Sequence, residues 1–161
     1  MTSTHTCLSL GILLLAVGLS ARADVPKEGR FDYKACYAGP HHMTVHAKDQ
    51  MGGAYEVYGM QLAEPNQLFY NLVELCLGSW TLIKGEYAET GSCEFTDPAG
   101  DKFFVVYSRK NQEDGVWRAI SGTGKYDGIV LSGNWMPFTQ FSQPPGQVLQ
   151  CNRNWGSYKL R

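Results

Sequence analysis

No charge of either sign dominates this chain: 14 basic side chains stand against 15 acidic ones, a formal net charge of −1. Nucleic acid is bound by neutralising phosphates with lysine and arginine, so this composition excludes a nucleic-acid partner. Long apolar runs are also missing, apart from one near the start that passes through Leu8, Leu10, Ile12, Leu15 and Leu19. That run is shorter than the roughly 20 residues a spanning helix needs. It carries no Lys or Arg at its beginning and ends in Ala21-Arg22-Ala23, a small-x-small site for signal peptidase ahead of Asp24. The expectation is a cleaved signal peptide over residues 1–23, export to the periplasm or the cell exterior, and a soluble mature chain over 24–161 with no membrane span. Cys7 lies too early to mark a lipidation site, and loss of Arg22 leaves 13 basic against 15 acidic groups.

Short paired cysteine spacings are absent. The remaining cysteines, Cys36, Cys76, Cys93 and Cys151, are separated by 40, 17 and 58 positions, whereas structural zinc sites favour pairs such as C-x-x-C. An even number in an oxidising compartment predicts two disulfides among three possible connectivities, and no metal. No G-x-S-x-G elbow occurs, no cysteine stays free after pairing, and three of the histidines crowd into one segment, which argues against hydrolase chemistry. Internal repeats, linkers and low-complexity runs are lacking too. The Gln143-Pro144-Pro145-Gly146 patch reads as a loop, since two prolines do not make a polyproline period. Helical periodicity is almost missing: only Gln67–Leu77 offers it, through Leu68, Leu72 and Leu75, and Asn71 and Val73 weaken it.

What the chain does have is short runs of β-branched and aromatic residues, broken about every ten positions by Gly, Pro, Asn and Asp. Candidate strands are Phe31–Ala38, Met43–Lys48, Ala54–Leu62, Glu74–Ile83, Tyr87–Thr96, Lys102–Lys110, Val116–Ser121, Ile129–Trp135 and part of Gln147–Tyr158. A body of this size buries roughly two thirds of its unfolded surface, enough for one domain.

Register follows from turn length. A two-residue hairpin at Lys84-Gly85 sets Cys76 opposite Cys93, within bridging range. Cys36 is then left for Cys151, which joins the first strand to the last. Those strands are neighbours only if the sheet closes, so the fold class predicted is all-β: an antiparallel up-and-down barrel of about eight strands with no exposed edges. A loop at Asp97–Asp101 brings Phe95 opposite Phe103 and Glu89 opposite Arg109, and a five-residue loop at 111–115 would bring Trp117 opposite Arg109. Trp80, Glu89, Arg109 and Trp117 then form one row on a face shared with Cys76, Leu82, Tyr87, Phe95, Val105 and Tyr107, which reads as the interior. The other face mixes polar residues with Leu75, Leu77, Phe104 and Val106.

Inward charges are costly unless paired, so Glu89 and Arg109, flanked by Trp80, Tyr107 and Trp117, are the candidate ligand-binding residues. Arg109 is also placed to stack on Trp117. The plainer alternative is a rim salt bridge, worth about 0–1 kcal/mol. His42 and His46 share a strand face but lie about 13 Å apart along it, too far for one ion, so the His41, His42 and His46 group reads as surface. Asp97 and Asp101 lack the ligand density of a calcium site and suit a tight turn.

Ser121-Gly122-Thr123-Gly124-Lys125-Tyr126-Asp127-Gly128-Ile129 is the most distinctive string. Its glycine spacing, with no following helix and no Lys-Ser/Thr pair, is not that of a nucleotide loop; the glycines suit positive φ or bulges between strands. Followed by Val130-Leu131-Ser132-Gly133, the string resembles the small barrels of the allene oxide cyclase and dirigent type. There, a G-T-G-x-Y/F segment precedes a Gly-rich strand. Cys93-Glu94-Phe95-Thr96-Asp97, continued by Gly100-Asp101-Lys102, is similar to a hairpin in uncharacterised exported bacterial relatives of that class. The resemblance implies an eight-stranded barrel whose cavity positions a small hydrophobic molecule, cyclising it in some members and steering a coupling in others. The cyclases' acidic and polar cavity groups do not map onto numbered positions here.

Three functions follow as expectations. The first is a barrel that binds a small hydrophobic or amphipathic ligand through Trp80, Glu89, Tyr107, Arg109 and Trp117, with no cofactor. The second is a cyclase-like isomerase using Glu89. The third is a structural or partner-binding module using Leu75, Leu77, Phe104 and Val106. An outer-membrane barrel is disfavoured by short strands carrying cysteines and by the Tyr158-Lys159-Leu160-Arg161 terminus.

Overall fold

The computed structural model describes residues 25–141 and 144–161; the expected leader over 1–23, with its cut before Asp24, and Gln143 of the Pro-rich loop lie outside the described residues. Eight strands follow in order: β1 (Glu28–Ala47), β2 (Gln50–Leu62), β3 (Val73–Ile83), β4 (Glu86–Thr96), β5 (Lys102–Lys110), β6 (Gly115–Gly122), β7 (Val130–Gln140) and β8 (Gln147–Lys159), with a single 3₁₀ turn at Gly124–Tyr126. Each strand pairs antiparallel with its chain neighbours and β8 returns to β1, closing the barrel. Closure leaves no row of unpaired backbone groups, as an up-and-down barrel requires. Among the described residues no helix is long and apolar enough to cross a membrane.

The tight turns behave as their residues dictate. Lys84 and Gly85 both take positive φ, 53° and 86°, the two-residue geometry whose twist matches the flanking strands. Cys76 therefore faces Cys93, Trp80 faces Glu89, and the five-residue turn at 97–101 sets Phe95 opposite Phe103 and Glu89 opposite Arg109. Both disulfides form as the register predicts, Cys76–Cys93 with Cα atoms 4.1 Å apart and Cys36–Cys151 at 4.0 Å. Strand alternation puts Cys76 and Cys93 on the inner face. Cys36, between inward Ala35 and Tyr37, lies on the outer one.

Three expectations need correction. Phe31–Ala38 and Met43–Lys48 are halves of one strand, because the ladder to β8 continues through Pro40 opposite Gln147 and the His41 N–H donates to the Gly146 carbonyl at 2.8 Å. The proline removes one donor without ending the strand. Gln67–Leu77 is not helical: turns run to Asn71, whose φ of 58° breaks any helix, and β3 starts at Val73. Trp117 lies opposite Tyr107 and not Arg109, because the ladder pairs Ser108 with Val116, two positions tighter than a five-residue loop sets, and a bulge farther along interrupts the pairing between Phe104 and Val105.

The core fills one end of the barrel, the base, where both described termini and the 63–72 connection lie. Phe69 enters from that connection, is fully buried, and meets Phe31, Tyr33, Phe95, Phe103 and Trp117 at ring-centroid distances of 4.3–6.1 Å. Its Leu68 and Leu72 neighbours are buried with it. The i, i+4 spacing that looks helical in the sequence belongs to a loop folded into the base as a plug.

The Gly-rich string caps the same end. Gly124 and Gly128 have φ of 53° and 66°, and Tyr126 packs its ring 5.0 Å from Phe103. Asp97 Oδ1 accepts the N–H groups of Ala99 and Asp101, and Lys125 Nζ lies 2.5 Å from Asp97 Oδ2. Burial pushes the Asp97 carboxyl up, but the Lys125 and backbone donors outweigh it and hold the group below its ordinary range. The Asp97–Asp101 segment is thus a tied turn.

Candidate functional site

Above the aromatic base the barrel is hollow. A cavity of about 1060 Å³ extends from Tyr33, Phe95 and Trp117 up to the Lys84-Gly85 hairpin and Asn111 at the opposite end. It exists because inward positions in the upper half alternate large rings with glycines. Gly78 and Gly91 oppose each other across β3 and β4, and a methyl group on either would overlap the Tyr107 hydroxyl, which points into the space they vacate.

Trp80, Glu89, Tyr107, Arg109 and Trp117 all line this cavity. Glu89 sits in the upper half, where its carboxylate accepts the hydroxyls of Tyr55 and, at 2.7 Å, Tyr87. Tyr55 also shares a 2.7 Å hydroxyl contact with Tyr107. Burial and the nearby Glu89 charge raise the Tyr55, Tyr87 and Tyr107 phenols well above their usual range, so they remain protonated donors.

The expected Glu89–Arg109 pair does not form, although the residues oppose each other in register. Among the described residues no ion pair within 4.0 Å involves Glu89. Arg109 instead donates through Nε to the Glu113 carbonyl at 3.0 Å and lays its guanidinium 5.5 Å from the Trp135 ring centre. Trp135, not Trp117, is its stacking partner, because the tighter register moves Trp117 to Tyr107 and the Trp135 ring lies over Gly115 at the mouth end of β6. Trp117 lies deeper, donating to the Asn134 carbonyl at 3.3 Å and packing on Phe31 and Phe69.

Several cavity residues were not legible beforehand. His41 is no surface histidine: its Nε2 accepts the Trp80 Nε1–H at 3.0 Å and its ring stacks on that indole, while His42 and His46 are exposed. Glu74 is the larger omission. It is 2% exposed, faces the cavity, and accepts Gln61 Nε2 at 2.6 Å and the Tyr37 hydroxyl at 3.4 Å. Burial pushes its carboxyl up to about 7, against the lowering effect of those two donors. Its signal was available in the register, since Glu74 has the same inward parity as Cys76 and Trp80. The Cys76 sulfur, 3.2 Å from Glu74 Oε1, is a disulfide sulfur with neither a proton to give nor a thiolate to hold a metal.

Beyond Tyr37 the wall is polar as well. Asn152 and Asn154 are buried on β8, and Gln150 donates to Asn152 Oδ1 at 2.7 Å. Asn154 lies beside the Tyr37 hydroxyl, yet its Nδ2 and the Nε1 of Trp135 are buried without a hydrogen bond of full geometry. Such groups cost about 1–3 kcal/mol each when nothing satisfies them. On the outer wall Leu77 is exposed and Leu75, Phe104 and Val106 are half-buried; Tyr58, Met60, Leu62 and Val73 extend the apolar area across β2 and β3.

No family model and no curated protein matches this chain. Among solved structures it is similar to the pterocarpan synthase dirigent protein GePTS1, at 12% identity and a TM-score of 0.49 over 83% of this chain and 92% of that one.

Proposed function

We propose that this chain is an exported, soluble barrel protein that holds a small amphipathic ligand in its upper cavity. The observation that carries the reading is the hollow itself: about 1060 Å³ of space, at the upper limit for small-molecule sites, bounded by aromatic rings with a few convergent polar groups. Two disulfides accord with an oxidising destination. Trp80, Glu89, Tyr107 and Arg109 would contact the ligand, with Trp117 at the cavity floor. The test is mass spectrometry of the exported protein for a co-purifying small molecule, followed by its return to ligand-free protein. Recovery of one equivalent that quenches tryptophan fluorescence is expected. Protein that carries nothing and whose fluorescence no extracted metabolite alters would remove the reading.

A cyclase-like isomerase in the same cavity is the second reading, and Glu74 favours it over Glu89. A carboxyl titrating near 7 beside bound substrate is suited to give and retake a proton. Deuterium from D₂O should enter an acidic C–H of the recovered ligand in wild-type protein and not in Glu74→Gln; equal exchange in both proteins would dismiss it.

A further inference from the structure

The upper cavity contains a carboxylate held by phenols and walled by indoles, and among the described residues no cation is ion-paired with it. Glu89 accepts from Tyr55 and Tyr87, and both donors are neutral hydroxyls. The stacked Trp80 and Tyr87 rings, with centroids 6.2 Å apart, stand beside it on the same inward face. The two basic side chains that border the cavity keep their charge but do not reach the Glu89 carboxylate. Arg109 is engaged by the Glu113 carbonyl and the Trp135 ring, and Lys84 is exposed on the hairpin tip, near Glu86 at the rim.

A partly buried carboxylate attracts positive charge strongly because little water screens it. Aromatic faces attract the same charge through their negative π surface. Together these two features select against anionic ligands, which would meet Glu89, and for positive ones. We infer that the cavity takes an organic cation: a small arylalkylamine whose ammonium sits at Glu89 against Trp80 and Tyr87, with its ring directed towards the aromatic base. The inference rests on the cavity being a ligand site and adds the charge of the ligand.

The experiment uses three probes of one skeleton: 2-phenylethylamine, 2-phenylethanol and 3-phenylpropionate. Each is titrated by calorimetry into the mature protein with both disulfides intact, at pH 7.5 and low salt. The amine should bind at least tenfold more tightly than the alcohol, and the carboxylate more weakly than either. In Glu89→Gln the amine's advantage over the alcohol should disappear while the alcohol's own affinity stays within about threefold. The probe series on wild-type protein gives the answer even if that variant does not fold. Equal binding of amine and alcohol, or tightest binding of the carboxylate, overturns the cation inference and leaves the cavity reading standing. Failure of all three probes at millimolar concentration overturns both.

Discussion

The two ends of this barrel are built from the same eight strands and reach opposite outcomes. At the base, inward positions carry rings that meet one another: Phe95 lies opposite Phe103 with planes 9° apart and centroids at 4.6 Å, and Phe69 fills what the strands leave open. Higher up, the inward pair on β3 and β4 is Gly78 with Gly91, none of the described residues in the connections there is buried, and polar tips line the space. A barrel of this strand number can be filled by side chains or can hold one small ligand. Here it does one at each end, and the switch is residue size at inward positions together with one inserted loop. The base supplies packing stability, and the upper half is free to hold groups that packing would not tolerate, Glu89 among them.

Three changes test that contrast. Phe69→Ala should have the largest effect, destabilising the protein by about 3–5 kcal/mol in urea unfolding through loss of the plug. A cost under about 1 kcal/mol would mean that the base is not the stabilising end. Glu74→Gln comes next, with the opposite sign. Folding raises the Glu74 carboxyl from 4.5 to about 7, so the folded state holds more protons than the unfolded chain between those values and stability falls as pH rises through them. The glutamine variant lacks that fall. It should be more stable than wild type by about 3 kcal/mol at pH 8 and indistinguishable from it below pH 4.5. Its amide can donate to the otherwise unpartnered Gln61 Oε1. Thermal melts across pH 4–8 that stay parallel for the two proteins would refute the assignment. Tyr87→Phe should be the mildest, costing about 1 kcal/mol through one lost hydrogen bond to Glu89. Any ligand bound at Glu89 should nevertheless bind measurably less tightly, which separates a site residue from a packing residue.

How much of this was legible varied with how rigidly each turn couples its strands. The Lys84-Gly85 hairpin allows one register, so the Cys76–Cys93 bridge and the Trp80–Glu89 opposition could be derived from residue numbers alone. Cys36–Cys151, and with it closure, then followed by elimination. Turn length no longer sets register where backbone irregularity enters. The tight β5–β6 connection already pairs Ser108 with Val116, which moves Trp117 from Arg109 to Tyr107, and farther along Ile120 stands unpaired where the two strands shift register again; nothing in these side chains announces either step. Phe69 was hidden for another reason: Leu68, Leu72 and Leu75 have helical spacing, and only the depth of the barrel base shows that the first two anchor a plug while the third is already in a strand. Tyr55 and Tyr37 depend on the phase of β1 and β2, whose pairing across the Ala47–Gln50 turn includes a register shift. The Glu89 clamp was therefore invisible even though Glu89 was not.

The sulfur bond between the first and last strands joins segments that already run together to the base. Glu28 pairs with Lys159, Leu160 N–H reaches the Lys27 carbonyl at 2.7 Å, and Lys27 Nζ reaches the Arg161 carbonyl at 2.5 Å. Anything fused after Arg161 therefore emerges beside Lys27 on the sealed side, with the mouth pointing away from it. A surface-tethered copy would present its opening outward, and a short peptide joining Arg161 to Lys27 would permit new ends to be cut at Lys84-Gly85.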